Sequence, residues 1–145
     1  MRTGFLTDPK RSQTILPESY EDYKQERALY AYNRAVELGF DDNQSRWLVA
    51  QIIRENGAMN ERVRGDKGCS VGLTQWNECA RGKNPAGYDW KAQIDLFLSE
   101  IRGKSDIHDF YVASVSWNAP SVMKDKTPSA YKYYHDVKNV YNNLF

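Results

Sequence analysis

The chain has 145 residues, 41% apolar and 27% charged, with a net charge of +1. Such a composition excludes a disordered polar chain, and the near-neutral balance gives no electrostatic case for nucleic acid or an anionic membrane as the main partner. The length suits one domain that buries roughly two thirds of its unfolded surface and so folds without a metal or a disulfide.

Residues 1–16 are polar and contain Pro9, and they read as an extended arm. A first helix is predicted over Glu18 to Leu38, with Ala28, Leu29, Tyr32, Ala35 and Val36 as its stripe and Gly39 as its end. Asp41 with Gln44 three residues on is an Asp form of the capping box, and it opens a second helix. That helix carries Trp47, Leu48, Val49, Ala50, Ile52 and Ile53, apolar nearly all round, as the buried centre of a domain does. Gly57 reads as its left-handed stop. From Ala58 to about Tyr88 the helical period disappears and glycines punctuate the chain, with Val63, Val71 and Leu73 as its apolar residues, so short strands and turns are expected. Asp89 then caps a helix with Trp90, Ile94, Phe97, Leu98 and Ile101 on one face, stopped by Gly103. Asp106 starts another, with Ile107, Phe110, Tyr111 and Ser114 in line, which reaches Trp117 and ends before Pro120. Thr127 and Pro128 open the last helix, where Ala130, Tyr134, Val137, Tyr141 and Leu144 recur at helical spacing. The sum is a mainly α (α+β) single domain, 1–145, with a small β-hairpin or turn insert directly after its most buried helix.

No run is long enough to span a membrane, and MRTGFLTDPKRSQT has no apolar signal core. Work outside a cytoplasm then needs another route: a membrane hole, a virus particle or a removed leader. Cys69 and Cys79, ten apart, suit a bridge across a hairpin in an oxidising compartment, but without a signal peptide two free thiols are expected. No close Cys pair exists and only His108 and His135 could complete a set, so no metal or other cofactor is expected. A Cys–His peptidase has little support, because neither Cys opens a helix and neither His has an evident orienting partner.

Chemistry concentrates in Glu55 to Asn77. Leu48, Ile52 and Glu55 are spaced four and then three, so the carboxyl shares a stripe with apolar side chains. It also sits in the last helical turn, where the dipole disfavours an anion. Both effects favour the neutral acid, which is what a glycosidase needs as general acid. The plain alternative is a Glu at a frayed, solvated helix end. Asp66, in a GDKG turn, is either an ordinary turn residue or the second carboxylate across a cleft. Gln75 follows Gly72 and Leu73, where a small residue admits a close ligand and an amide can hydrogen-bond sugar hydroxyls. Trp117 and Asn118 are candidates for ligand contact or for packing and a cap, and Tyr133 for the core or for a hydroxyl aimed at Glu55.

Four runs in order carry a family resemblance. A helix ending in Glu55, then GDKGCSVGLTQWN (Gly65 to Asn77), resembles the GD-x-G-x-x-x-GL-x-Q run of goose-type lysozymes. SWNAP (Ser116 to Pro120) resembles the YNAG run of soluble lytic transglycosylases, and YYHDV from Tyr133 their tyrosine-bearing last helix. GLTQW followed by Trp90, Gln93 and Phe97 is similar to phage tail lysozymes. The resemblance covers about Asp41 to Leu144. It implies a lysozyme-like helical domain that cuts the β-1,4 bond between N-acetylmuramic acid and N-acetylglucosamine in bacterial peptidoglycan, as a muramidase or a lytic transglycosylase. Glu55 would be the general acid, Asp66 the first of two goose-type aspartates, and Gln75, Asn77, Trp117, Asn118 and Tyr133 the substrate-binding set, with Tyr133 orienting the acid. It also implies a phage product, with release through a membrane hole or as part of a virion. A non-catalytic glycan-binding or virion structural module on the same fold is the alternative. The chain departs from the pattern at Asn56, where transglycosylases carry Ser, at Asn77, where the second goose-type aspartate stands, and in WNAP for YNAG.

Overall fold

The computed structural model describes residues 14–105, 110–117 and 128–145. The architecture is mainly helical with one small antiparallel sheet. In chain order come α1 (Asp22–Glu37), α2 (Asp42–Glu55), β1 (Arg64–Gly65), a 3-10 turn (Asp66–Gly68), β2 (Ser70–Val71), β3 (Trp76–Asn77), α3 (Glu78–Arg81), α4 (Trp90–Ser105), α5 (Phe110–Val115) and α6 (Pro128–Leu144).

The α2 helix is central, as its all-round apolar character requires. Trp47, Leu48, Val49, Ala50 and Ile52 are all buried, and the helix packs against α1 on one side and α6 on the other. Its start is the predicted reciprocal cap. The Gln44 backbone N–H donates to Asp41 Oδ1 at 2.7 Å, and the Asp41 N–H donates to Gln44 Oε1 at 3.0 Å. The α4 helix lies on α1 and buries Ile94, Phe97, Leu98 and Ile101, the predicted face. Its start is held by Asp89, whose Oδ1 accepts from Lys91 N and Ala92 N. On α6 the buried residues are Tyr133 and Val137, with Tyr134, Tyr141 and Leu144 partly buried beside them.

Four boundaries differ from the sequence reading, one of them the end of α5, which stops at Val115 short of Trp117. The first helix begins at Asp22, because residues after Pro17 form a turn closed by Tyr20 N–H to Pro17 O. The α4 helix runs through Gly103 to Ser105, since an interior Gly costs a helix only about 1 kcal/mol. The stop after α2 is not a left-handed Gly57. Asn56 leaves the helix at φ −151°, ψ 89°, and the first left-handed residue after it is Met59. Of the predicted arm, residues 1–13 lie outside the described residues. Leu16, its last residue, is buried, and the Gln25 amide brackets it by accepting from Leu16 N and donating to Leu16 O and Pro17 O. The helix start at Asp106 and the stop at Pro120 also lie outside the described residues, as does His108. No described helix is long and apolar enough to cross a membrane.

The insert is a three-stranded antiparallel sheet in the order β1–β2–β3. Arg64 pairs with Val71, and Val71 with Trp76. Val71 and Leu73 are buried, while Val63 is exposed.

Candidate active site

Glu55 is the last residue of α2. Because Leu48 and Ile52 below it are fully buried, the helix carries the carboxyl into the protein, and its side chain is only 5% exposed. Burial is the main reason its pKa rises from 4.5 to about 7. The Tyr133 hydroxyl on α6 donates to Glu55 Oε2 at 3.0 Å, and Arg54 Nη1 lies 3.4 Å from Oε1. Both partly offset the burial, while the charge of Asp66 adds to it. Tyr133 is itself buried, and burial together with the facing carboxylate pushes its hydroxyl well above the usual tyrosine range. Its proton therefore stays in place to stabilise an ionised Glu55.

The wall carrying Asp66 is assembled by polar staples. Asn56, next to the acid, is buried, and its Nδ2 donates to Asn60 O at 2.9 Å and Gly72 O at 3.1 Å. The end of α2 is thereby tied to the GLTQ loop between β2 and β3. Gln93 on α4 accepts from Leu73 N and donates to Glu61 O and Gly87 O, so one buried amide holds three segments. Gly72 has φ +87°, and a Cβ there would lie 2.4–2.7 Å from that amide, so only glycine fits. The sequence reading noted Asn56 only as a departure and Gln93 only as a point of likeness. A buried amide leaves no periodic signal, and the available clue was a polar residue set directly against an apolar stripe.

Asp66 is exposed at φ +50°, followed by Lys67 at +57° and Gly68 at +92°. Its Oδ2 accepts from the buried Ser70 hydroxyl at 2.8 Å, which fixes the carboxylate on the turn. Its charge reaches Glu55 strongly enough to help raise the acid's pKa. Tyr133 is thus brought onto Glu55 by a direct hydrogen bond, and Asp66 acts on it through its charge alone.

The remaining predicted residues, Asn118 excepted, are engaged inside the fold. Gln75 Nε2 donates to Gly72 O at 2.8 Å and Val63 O at 3.2 Å, folding the amide back over its own hairpin. Asn77 caps α3 by accepting from Ala80 N. Trp117 is a correction: its ring is buried, edge-to-face with Phe97 and Trp76, and its Nε1 donates to Thr74 O at 2.7 Å. It packs the core under the GLTQ loop, and the Arg81 guanidinium carbon lies over its ring, 5.1 Å from the centre. Asn118 lies outside the described residues. The cysteines are a second correction. Cys69 and Cys79 form a disulfide with Cα atoms 5.2 Å apart, bridging the turn after Gly68 to α3. The hairpin brings their backbones within bonding reach, so geometry overrides the expectation of free thiols, and neither sulfur remains as a nucleophile. Among the described residues no three His, Cys, Asp or Glu side chains gather as a metal site would require.

An open depression of about 570 Å³ lies elsewhere, lined by Leu16, Asn43, Arg46, Tyr141 and Phe145 among others. It flanks the start of α2, roughly 20 Å from Glu55 along the helix axis, and takes no part in this constellation. What the site offers is a proton donor retained to near neutrality, a hydroxyl to receive its negative charge, and a second carboxylate nearby. Compared with known proteins, the chain matches no family model, no curated protein and no solved structure.

Proposed function

We propose that the chain is a peptidoglycan-cleaving glycosidase on a lysozyme-like fold, cutting the β-1,4 bond between N-acetylmuramic acid and N-acetylglucosamine. The observation that carries this reading is the Glu55 carboxyl at the end of the most buried helix, its pKa raised to about 7 mainly by burial and its Oε2 receiving the Tyr133 hydroxyl. The runs GDKGCSVGLTQWN, SWNAP and YYHDV support it by resemblance. Bacterial glycan strands are the partner, no cofactor is needed, and delivery is through a membrane hole or within a virion.

Glu55 gives its proton to the glycosidic oxygen as the bond breaks and positive charge develops on the sugar ring. Tyr133 and Arg54 stabilise the carboxylate left behind. Asp66, held by Ser70, supports the ring's positive charge or takes a proton from an attacking water. In a lytic route the sugar's own hydroxyl attacks instead, and its proton returns to Glu55.

The test is Glu55→Gln with cell-wall digestion followed by mass spectrometry. Loss of about 10²–10⁴-fold in rate is expected in a variant that keeps its fold. Reducing ends in wild-type digests mark hydrolysis, and anhydro-sugars mark lytic cleavage. Unchanged lysis by the variant would overturn the assignment of Glu55. Wild-type protein that grips wall glycan without cutting it would make this a binding or virion structural module instead.

A further inference from the structure

Arg54 precedes the acid on α2 and points its guanidinium between two carboxylates. Nη1 stands 3.4 Å from Glu55 Oε1 and Nη2 3.3 Å from Asp136 Oδ2 on α6. Beneath it lies the Tyr133 ring, with the guanidinium carbon 4.9 Å from the ring centre. Both contacts are longer than the roughly 2.7–2.9 Å of a committed charge-assisted hydrogen bond. The cation is therefore shared, fully bound by neither anion. Asp136 is also paired with Lys132, whose Nζ is 3.0 Å from the same Oδ2 and whose side chain is mostly exposed.

We propose that Arg54 is a positioning residue for the reaction proposed above, and that Asp136 holds its charge partly away from Glu55, so that α6 sets how firmly the acid keeps its proton. The inference rests on the reading of Glu55 as general acid. Among the described residues, the charged and titratable groups that act on Glu55 are Arg54 from α2, Tyr133 from α6 and Asp66 from the 3-10 turn, with Asp136 of α6 paired to Arg54 and Lys132 paired to Asp136. Among them Arg54 alone has a second anion competing for it. Full engagement with Glu55 would stabilise the carboxylate and strip the acid of its proton near neutral pH. Drawing the guanidinium toward Asp136 leaves burial dominant and the proton in place. After the proton is given up, the same cation can swing the short distance to the new charge.

Opposite shifts from two substitutions test this. Asp136→Asn releases Arg54 onto Glu55 and should move the alkaline limb of wall lysis, and the carbon-13 carboxyl titration of Glu55, down by roughly one pH unit. Arg54→Met keeps an unbranched side chain beside Tyr133, removes the charge, and should move both up by a similar amount. In the double variant the Asp136 substitution should add nothing to the Arg54→Met shift, because its route to Glu55 is gone. An Asp136→Asn shift that persists with Met at position 54 would overturn the shared-cation proposal, as would two single variants that leave the titration where it was. Titration shifts as expected without glycan cleavage in any variant would uphold the coupling and sink the glycosidase reading. Cleavage with an unmoved titration would do the reverse.

Discussion

On α2 and α6, the residues around Glu55 are held by apolar packing. Leu48, Ile52 and Val137 are buried, and Tyr133 lies among them. The segment carrying Asp66 is held by other means. Its strands are two residues long, and Gln75, Gln93, Asn56 and the Cys69–Cys79 bridge connect them. All the non-glycine residues with left-handed backbone among those described, Met59, Asp66, Lys67 and Gln75, fall in this stretch. Each such residue costs about 1 kcal/mol or more and persists only where its surroundings over-determine it. The comparison teaches that one wall sets the proton affinity of the acid by exclusion of water. The other stores strain to place an exposed carboxylate, and polar staples offset that strain.

The largest effect is expected where a staple meets a glycine. Gly72→Ala would drive a Cβ into the buried Gln93 amide and force it from its three backbone partners. A loss of about 3 kcal/mol or more is expected in urea denaturation. Gly68→Ala is the control. It has a similar positive φ but open space around the added carbon, so the cost should stay near 1 kcal/mol, the conformational penalty alone. Equal costs at the two positions would show that the staple contributes nothing. Next comes the bridge. Replacing Cys69 and Cys79 by Ser, which opens a loop of ten residues, should lower stability by about 2–3 kcal/mol. Amide exchange should quicken through 64–77 while the α2 core keeps its protection. Protection lost evenly across α2 would mean that the two walls are one cooperative unit.

The difference between the walls also decided what could be read in the sequence. Helix α2, its capping box and the placement of Glu55 follow from apolar spacing and one Asp–Gln pair, because packing leaves a periodic trace. The sheet was legible as a glycine-punctuated segment but its register was not, since strands of two residues are too short to alternate. The staples were invisible for a related reason. Three of the five contacts made by Gln93 and Asn56 reach residues 16–32 positions away, and nothing local separates a buried amide from a solvated one. Trp117 was ambiguous because the same ring serves a sugar platform and a core, and only the Thr74 carbonyl and Phe97 decide between them. The disulfide was missed because compartment was inferred from the leader, while the hairpin that aligns the sulfurs is a tertiary fact.

The smallest effect has the most diagnostic sign. Glu55 holds its proton to about pH 7 in the folded chain, against 4.5 for an ordinary glutamate. Below about pH 4.5 the carboxyl is neutral whether the chain is folded or not, so burial carries no ionic penalty. As pH rises toward 7 the unfolded chain releases the proton and the folded chain retains it, so the folded state binds more protons and stability falls. Above pH 7 the charge is buried and the loss is complete. Glu55→Gln removes the titration while keeping size and shape. The variant should match wild type at pH 4 and exceed it at pH 8 by about 1–2 kcal/mol, less than the full value of the pKa gap because an amide serves Arg54 less well than a carboxylate. Urea denaturation at pH 4, 6 and 8 reads this directly. A variant less stable than wild type at pH 8 would mean that Tyr133 and Arg54 outweigh burial. Glu55 would then be ionised at neutral pH, and the helical wall would stabilise an anion instead of an acid.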